Sequence, residues 1–134
     1  MVRNVSLSAI WASVGWIGVA LVIYLSLTPS PPQLDLGQFT DKWEHVAAYA
    51  ALMLWFSQVR RSLRERLWLG VFLVGLGIGL EFAQREMGVR TFEIADMGAN
   101  SLGVLVGWLL APPRLPSLFE ATQHLLGSGG SPMA

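Results

Sequence analysis

With 134 residues, no cysteine and two histidines, the chain is long enough for one domain and excludes disulfides, thiol nucleophiles and any metal site rich in Cys or His. Hydrophobic residues make up 53% of it, charged residues only 13%, and six are Trp, which is the composition of a membrane protein. Nine basic and nine acidic residues give a formal net charge of zero, so nothing points to nucleic acid as a partner.

Between Arg3 and Asp35 there is no charge. A helix over about residues 7–27 would cross the roughly 30 Å hydrocarbon core. The run exceeds the roughly 7–15 residues of a secretory h-region, and no A-x-A site follows, so it is expected to remain as a first span. Thr28-Pro29-Ser30-Pro31-Pro32 stops that helix. Three further apolar runs, Val46 to Val59, Leu67 to Leu80 and Met97 to Leu110, are each short for a span. Reaching about 20 residues recruits their polar flanks, which predicts helices over about 41–60, 66–85 and 93–111. Pro112-Pro113 ends the last one. The expected fold is all-α: a membrane-spanning four-helix bundle over residues 1–113. Beyond it, Ser117-Leu118-Phe119-Glu120 reads as a capping box opening a short amphipathic helix. Gly127-Ser128-Gly129-Gly130-Ser131-Pro132 reads as a disordered tail, with His124 solvated nearby.

Arg60, Arg61, Arg64 and Arg66 share the second connection, whereas the first carries Lys42 and the third Arg85 and Arg90. The positive-inside rule then places the Arg-rich loop, and both termini with Arg3 and Arg114, in the cytoplasm. This is the topology of a multi-pass membrane protein.

Antiparallel helices would bring the rare polar residues to one depth in the outer half of the bilayer. Asp41, His45 and Tyr49 follow i, i+4, i+8 spacing on one face, with Lys42 beside them. Glu81, Gln84 and Arg85 share a face of the third helix, and Asp96 and Asn100 a face of the fourth. Ionisable groups inside apolar helices are expensive and usually mark a site. Each also has a plainer reading. Asp41 with Glu44 fits a capping box, and Asp96 suits a helix N-terminus. His45 could bond a carbonyl, Tyr49 could belong to an aromatic belt, and Arg90 could pair with Glu86. Glu81 and Asn100 could be interhelical glue, and the pairs Gly75/Gly79 and Gly103/Gly107 read as close-packing seams.

The series Asp41-Lys42-x-x-His45-x-x-x-Tyr49, Glu81-x-x-Gln84, Arg90, Asp96-x-x-x-Asn100-x-x-Gly103-x-x-x-Gly107 resembles the VanZ-like family of small bacterial membrane proteins in order and spacing. The match runs from Asp41 to Gly107. The resemblance implies an integral membrane protein of a few helices, and the family's namesake is associated with lowered sensitivity to the glycopeptide teicoplanin. It implies no reaction.

The reading favoured is an outward-facing polar pocket, built from Asp41, Lys42, His45, Tyr49, Glu81, Gln84, Arg90, Asp96 and Asn100, that binds an amphiphilic or lipid-linked envelope ligand. A lipid-linked cell-wall precursor or a lipoglycopeptide fits, with membrane lipids as neighbours. Lys42 and Arg90 would meet phosphate or carboxylate. In a second reading His45, Glu81 and Asp96 are catalytic in a membrane hydrolase or transferase, with His45 as base or with an ion held by Asp41, His45, Glu81 and Asp96. One His among carboxylates is a weak metal pattern, so no metal or other cofactor is favoured. A third reading is a structural scaffold. A transport role leaves four short helices little room for a pore unless the chain forms a homo-oligomer.

Overall fold

The computed structural model describes residues 6–29, 37 and 39–128. The described chain is all-helical: α1 (Leu7–Leu27), α2 (Thr40–Ser57), α3 (Leu63–Met87), α4 (Ile94–Leu110) and α5 (Leu118–Ser128). Arg3, Ser30, Pro31, Pro32, Asp35 and the tail from residue 129 onward lie outside the described residues. Helices α1 and α3 are each long and apolar enough to cross a membrane, and α4 is a shorter apolar helix.

Local chemistry sets the helix ends. Ser6 caps α1 by accepting a hydrogen bond from the Ala9 amide at 3.2 Å. At the other end Thr28 returns its hydroxyl to the Tyr24 carbonyl at 2.7 Å. Helix α2 stops at Ser57, short of the expected 60, because its last carbonyls find another donor. The Arg66 guanidinium donates to Ser57 O at 3.0 Å and to Arg60 O at 2.8 Å. Arg66 is thus a buried tie inside α3 and not a free charge of the connecting loop. Helix α3 begins at Leu63 instead of 66 because Ser62 and Glu65 form a complete capping box. It closes on Gly88, whose φ of 65° is the left-handed conformation that suits glycine.

Helices α1 to α4 run alternately up and down. Trp11 near the start of α1 stacks on Trp55 near the end of α2, with ring centroids 4.0 Å apart. Each indole N–H donates to the other residue's carbonyl, at 3.0 and 2.8 Å. At the opposite end Gln84 of α3 donates to the Ser26 carbonyl of α1 at 2.7 Å. Between these ends lies an apolar core of Val19, Leu52, Met53, Phe56, Leu73 and Val104.

The tightest packing is between α2 and α4. Gly103 and Gly107 explain it. A Cβ on Gly103 would lie 2.5 Å from the Val46 carbonyl oxygen, and one on Gly107 would lie 2.5 Å from that of Ala50. The two backbones meet because neither position has a side chain. The other expected seam is absent. Gly75 and Gly79 have nothing within 4 Å of a Cβ position, and α3 instead packs through Gly70 and Gly77 against Trp108 and Asn100 of α4. The repeat was legible in α3, but the face turned to a neighbour is the one carrying Gly70, Leu73 and Gly77.

Helix α5 is fastened to the end of the bundle that carries the arginines. Gln58 Oε1 accepts from the Leu118 amide at 2.9 Å, and Phe119 sets its edge on Trp11 at 5.4 Å. Ser117 accepts from the Glu120 amide at 3.2 Å, as a cap should. The reciprocal half of the expected box is replaced, because Glu120 takes Arg61 at 2.7 Å. Gly127 and Ser128, expected in the tail, belong to α5. His124 is exposed.

Gly103→Val or Gly107→Val is expected to lower stability by about 1–3 kcal/mol through overpacking. Gly79→Ala, facing open space, gains helix propensity and should leave the melting temperature unchanged or raise it. Thermal unfolding of the purified chain in detergent checks the contrast.

Candidate functional site

The close approach of α2 and α4 brings their first turns side by side. Helix α2 contributes Asp41, Lys42, His45 and Tyr49, α4 contributes Asp96 and Asn100, and the end of α3 contributes Glu81. The α3–α4 connection adds Arg90 and Glu93. Tyr49, Glu81, Gln84, Asp96 and Asn100 are all buried.

Asp41 does not cap α2. The N-cap is Phe39, with no side-chain cap bond, and the Asp41 carboxylate turns toward Lys42, His45 and Arg90. Lys42 was expected to reach for a ligand. Its ammonium is instead occupied by three carboxylates: Asp96 in direct contact, Glu93 at 2.6 Å and Asp41 at 3.4 Å. Three N–H donors meet three acceptors, which leaves Lys42 little capacity for an incoming group. Arg90 sits 3.7 Å from Asp41. Asp96 lies in the first turn of α4, so the helix dipole also favours its charge, but its ion pair shows the dipole is not its whole role.

His45 is fixed by Asn100, with Nδ1 2.8 Å from the amide oxygen Oδ1. Its Nε2 faces Asp41 at 3.7 Å and Asp96 at 3.8 Å. Asn100 fits because α3 has glycine opposite it: a Cβ on Gly77 would lie 2.8 Å from Asn100 Nδ2. Glu81 is only 1% exposed and accepts the Glu93 amide at 3.3 Å. Asp96, His45 and Lys42 lie within electrostatic range of its carboxylate, as Glu81 does of the Tyr49 hydroxyl.

Eight of the nine residues singled out from the sequence meet around this cluster. Gln84 is the exception, since its amide is committed to Ser26 O and serves as a tether between α3 and α1. Glu93 was missed. Its signal was present as Glu93-x-x-Asp96, two carboxylates i, i+3 at a helix start.

A recess of about 120 Å³ opens beside the cluster, between α1 and α2. Val22, Leu25 and Ala48 form an apolar wall, and Asp41, His45, Tyr49 and Arg90 the polar part. Above lies a polar hollow bounded by Asp41, Arg90, Thr91, Glu93 and Asp96. The site therefore offers a cation, an oriented imidazole and carboxylates next to a hydrocarbon surface.

No family model matches the chain, nor does any curated protein or solved structure.

Lys42→Met leaves Asp41, Glu93 and Asp96 facing one another without their shared cation. It is expected to cost about 1–3 kcal/mol. In the double variant Lys42→Met/Asp96→Asn the loss should be smaller than the sum of the two single losses, measured as a double-mutant cycle by thermal unfolding.

Proposed function

We propose that this chain is a four-helix integral protein of a bacterial cytoplasmic membrane that binds the headgroup of an amphiphilic, lipid-linked envelope molecule in the recess beside Arg90. The observation that carries the reading is the recess itself, apolar along Val22, Leu25 and Ala48 and polar at Arg90, His45 and Asp41. An amphiphile needs that juxtaposition: hydrocarbon along one wall, and a cationic donor where its phosphate or carboxylate would lie.

Several features support the membrane setting. Large apolar side chains cover the outside of the helices, among them Ile17 at 67%, Trp68 at 67% and Val71 at 63% exposure. An apolar exterior of this extent suits lipid and not water. Helix α4, at 17 residues, is about 26 Å long, near the minimum for the hydrocarbon core. Arg60, Arg61, Arg64 and Arg114 gather at the end opposite the polar cluster, which under the positive-inside rule supports an extracytoplasmic recess. The VanZ-like resemblance adds a link to the cell envelope and the response to glycopeptides such as teicoplanin.

Binding of a polyprenyl phosphate to the purified protein in detergent tests the proposal. Arg90→Ala is expected to weaken it about 10- to 100-fold, the worth of a charge-assisted hydrogen bond. Gly79→Ala should bind as the parent does. Equal binding by the Arg90 variant and the parent, or no binding by either, contradicts the reading.

A further inference from the structure

Three potential ligand atoms, one each from Asp41, His45 and Asp96, converge beneath the recess. Asp41 and Asp96 divide their carboxylates in the same way. One oxygen of each, Asp41 Oδ2 and Asp96 Oδ1, goes to Lys42. The other, Asp41 Oδ1 and Asp96 Oδ2, stands 3.7 and 3.8 Å from His45 Nε2, and Arg90 stands 3.7 Å from the same Asp41 oxygen. Those separations exceed the roughly 3.2 Å limit of a good N–H···O bond, so Nε2 is bonded to neither carboxylate. Meanwhile His45 Nδ1 lies 2.8 Å from Asn100 Oδ1. An amide oxygen only accepts, so Nδ1 donates that bond, and Nε2 is the ring nitrogen that faces the two carboxylate oxygens.

We propose that Asp41, His45 and Asp96 bind one divalent transition-metal ion of the zinc or manganese class. The three donor atoms all lie within 4.8 Å of one another. Tetrahedral ligands about 2.1 Å from an ion stand about 3.4 Å apart, so small side-chain rotations close the set. A second, independent feature supports it. Metal-ligating histidines characteristically donate their other ring N–H to a fixed oxygen, and here a buried Asn100, accommodated by Gly77, supplies that oxygen.

Charge points the same way. Asp41, Glu93 and Asp96 carry three negative charges against the two positive charges of Lys42 and Arg90. The remaining negative charge favours a further cation. The polar hollow bounded by Arg90, Thr91 and Glu93 gives an ion a way in. Three protein ligands leave a coordination position open, and Asp41 and His45 also line the recess. A phosphate oxygen or a water could complete the ion there.

The site shares residues with the recess but does not require an amphiphile, so it is tested without one. The full chain in detergent, stripped with chelator, is titrated with Zn2+ and with Mn2+ by calorimetry and bound metal is counted. One ion per chain is expected for at least one of the two. His45→Ala should lose at least 10-fold in affinity, and Asn100→Ala, which touches no ion, about 10- to 100-fold. His124→Ala should leave binding unchanged. Should Asn100→Ala fail to fold, Asn100→Asp, which keeps an acceptor oxygen on Nδ1, should retain the ion. No saturable binding by the folded parent, or binding that survives His45→Ala, overturns the site, whatever polyprenyl phosphate does.

Discussion

Gly103 and Gly107 bring the backbone of α4 against that of α2, and that approach decides where the ionisable groups of both helices sit. Both helices then present their first turns at one end, so Lys42 can reach Asp96, and His45 can reach Asn100, each across more than fifty residues of sequence. A bulky side chain at either glycine would push α4 outward and open these bonds together. Gly77 has the matching role on the other side, making room for Asn100 against α3. Three glycines, two on α4 and one on α3, thus underlie a polar site that contains none of them.

The electrostatics of the cluster are concentrated on two cations. Lys42 is divided among three carboxylates, and Arg90 stands at the rim beside Asp41. Interhelical glue explains little of this arrangement. Polar contacts between membrane helices are worth only about 0.6 kcal/mol each on average. The bundle has fasteners elsewhere: the reciprocal Trp11–Trp55 pair, the Gln84 tether and the Arg66 bonds to the end of α2. What the cluster adds is a cation and an oriented imidazole at the edge of an apolar groove.

Much of this was legible in the sequence. The long uncharged run gave α1 with both ends correct, its stop marked by Thr28-Pro29. The i, i+4 spacings gathered the site residues on the right faces, since helical periodicity alone fixes which side chains share a stripe. Partners were less legible. Periodicity defines a face but not what lies opposite, so Gly75/Gly79 looked equivalent to Gly103/Gly107, although only the latter meets a neighbour. Long side chains hid their targets for the same reason. Lys42 was assigned to a ligand and Arg66 to a loop, yet each is satisfied internally. Glu93 is the least legible of the site residues, because it stands just before α4, outside the apolar run.

The central claim is that the starts of α2 and α4 converge on one site. Because the chain has no cysteine, a paired substitution reports on it without background. His45→Cys with Asn100→Cys, treated in native membranes with a short bifunctional thiol reagent, should give an intramolecular cross-link seen as a mobility shift on a denaturing gel. His45→Cys with Gly79→Cys, the latter facing open space, should not. Cross-linking of the second pair as readily as the first, or of neither, would contradict the account.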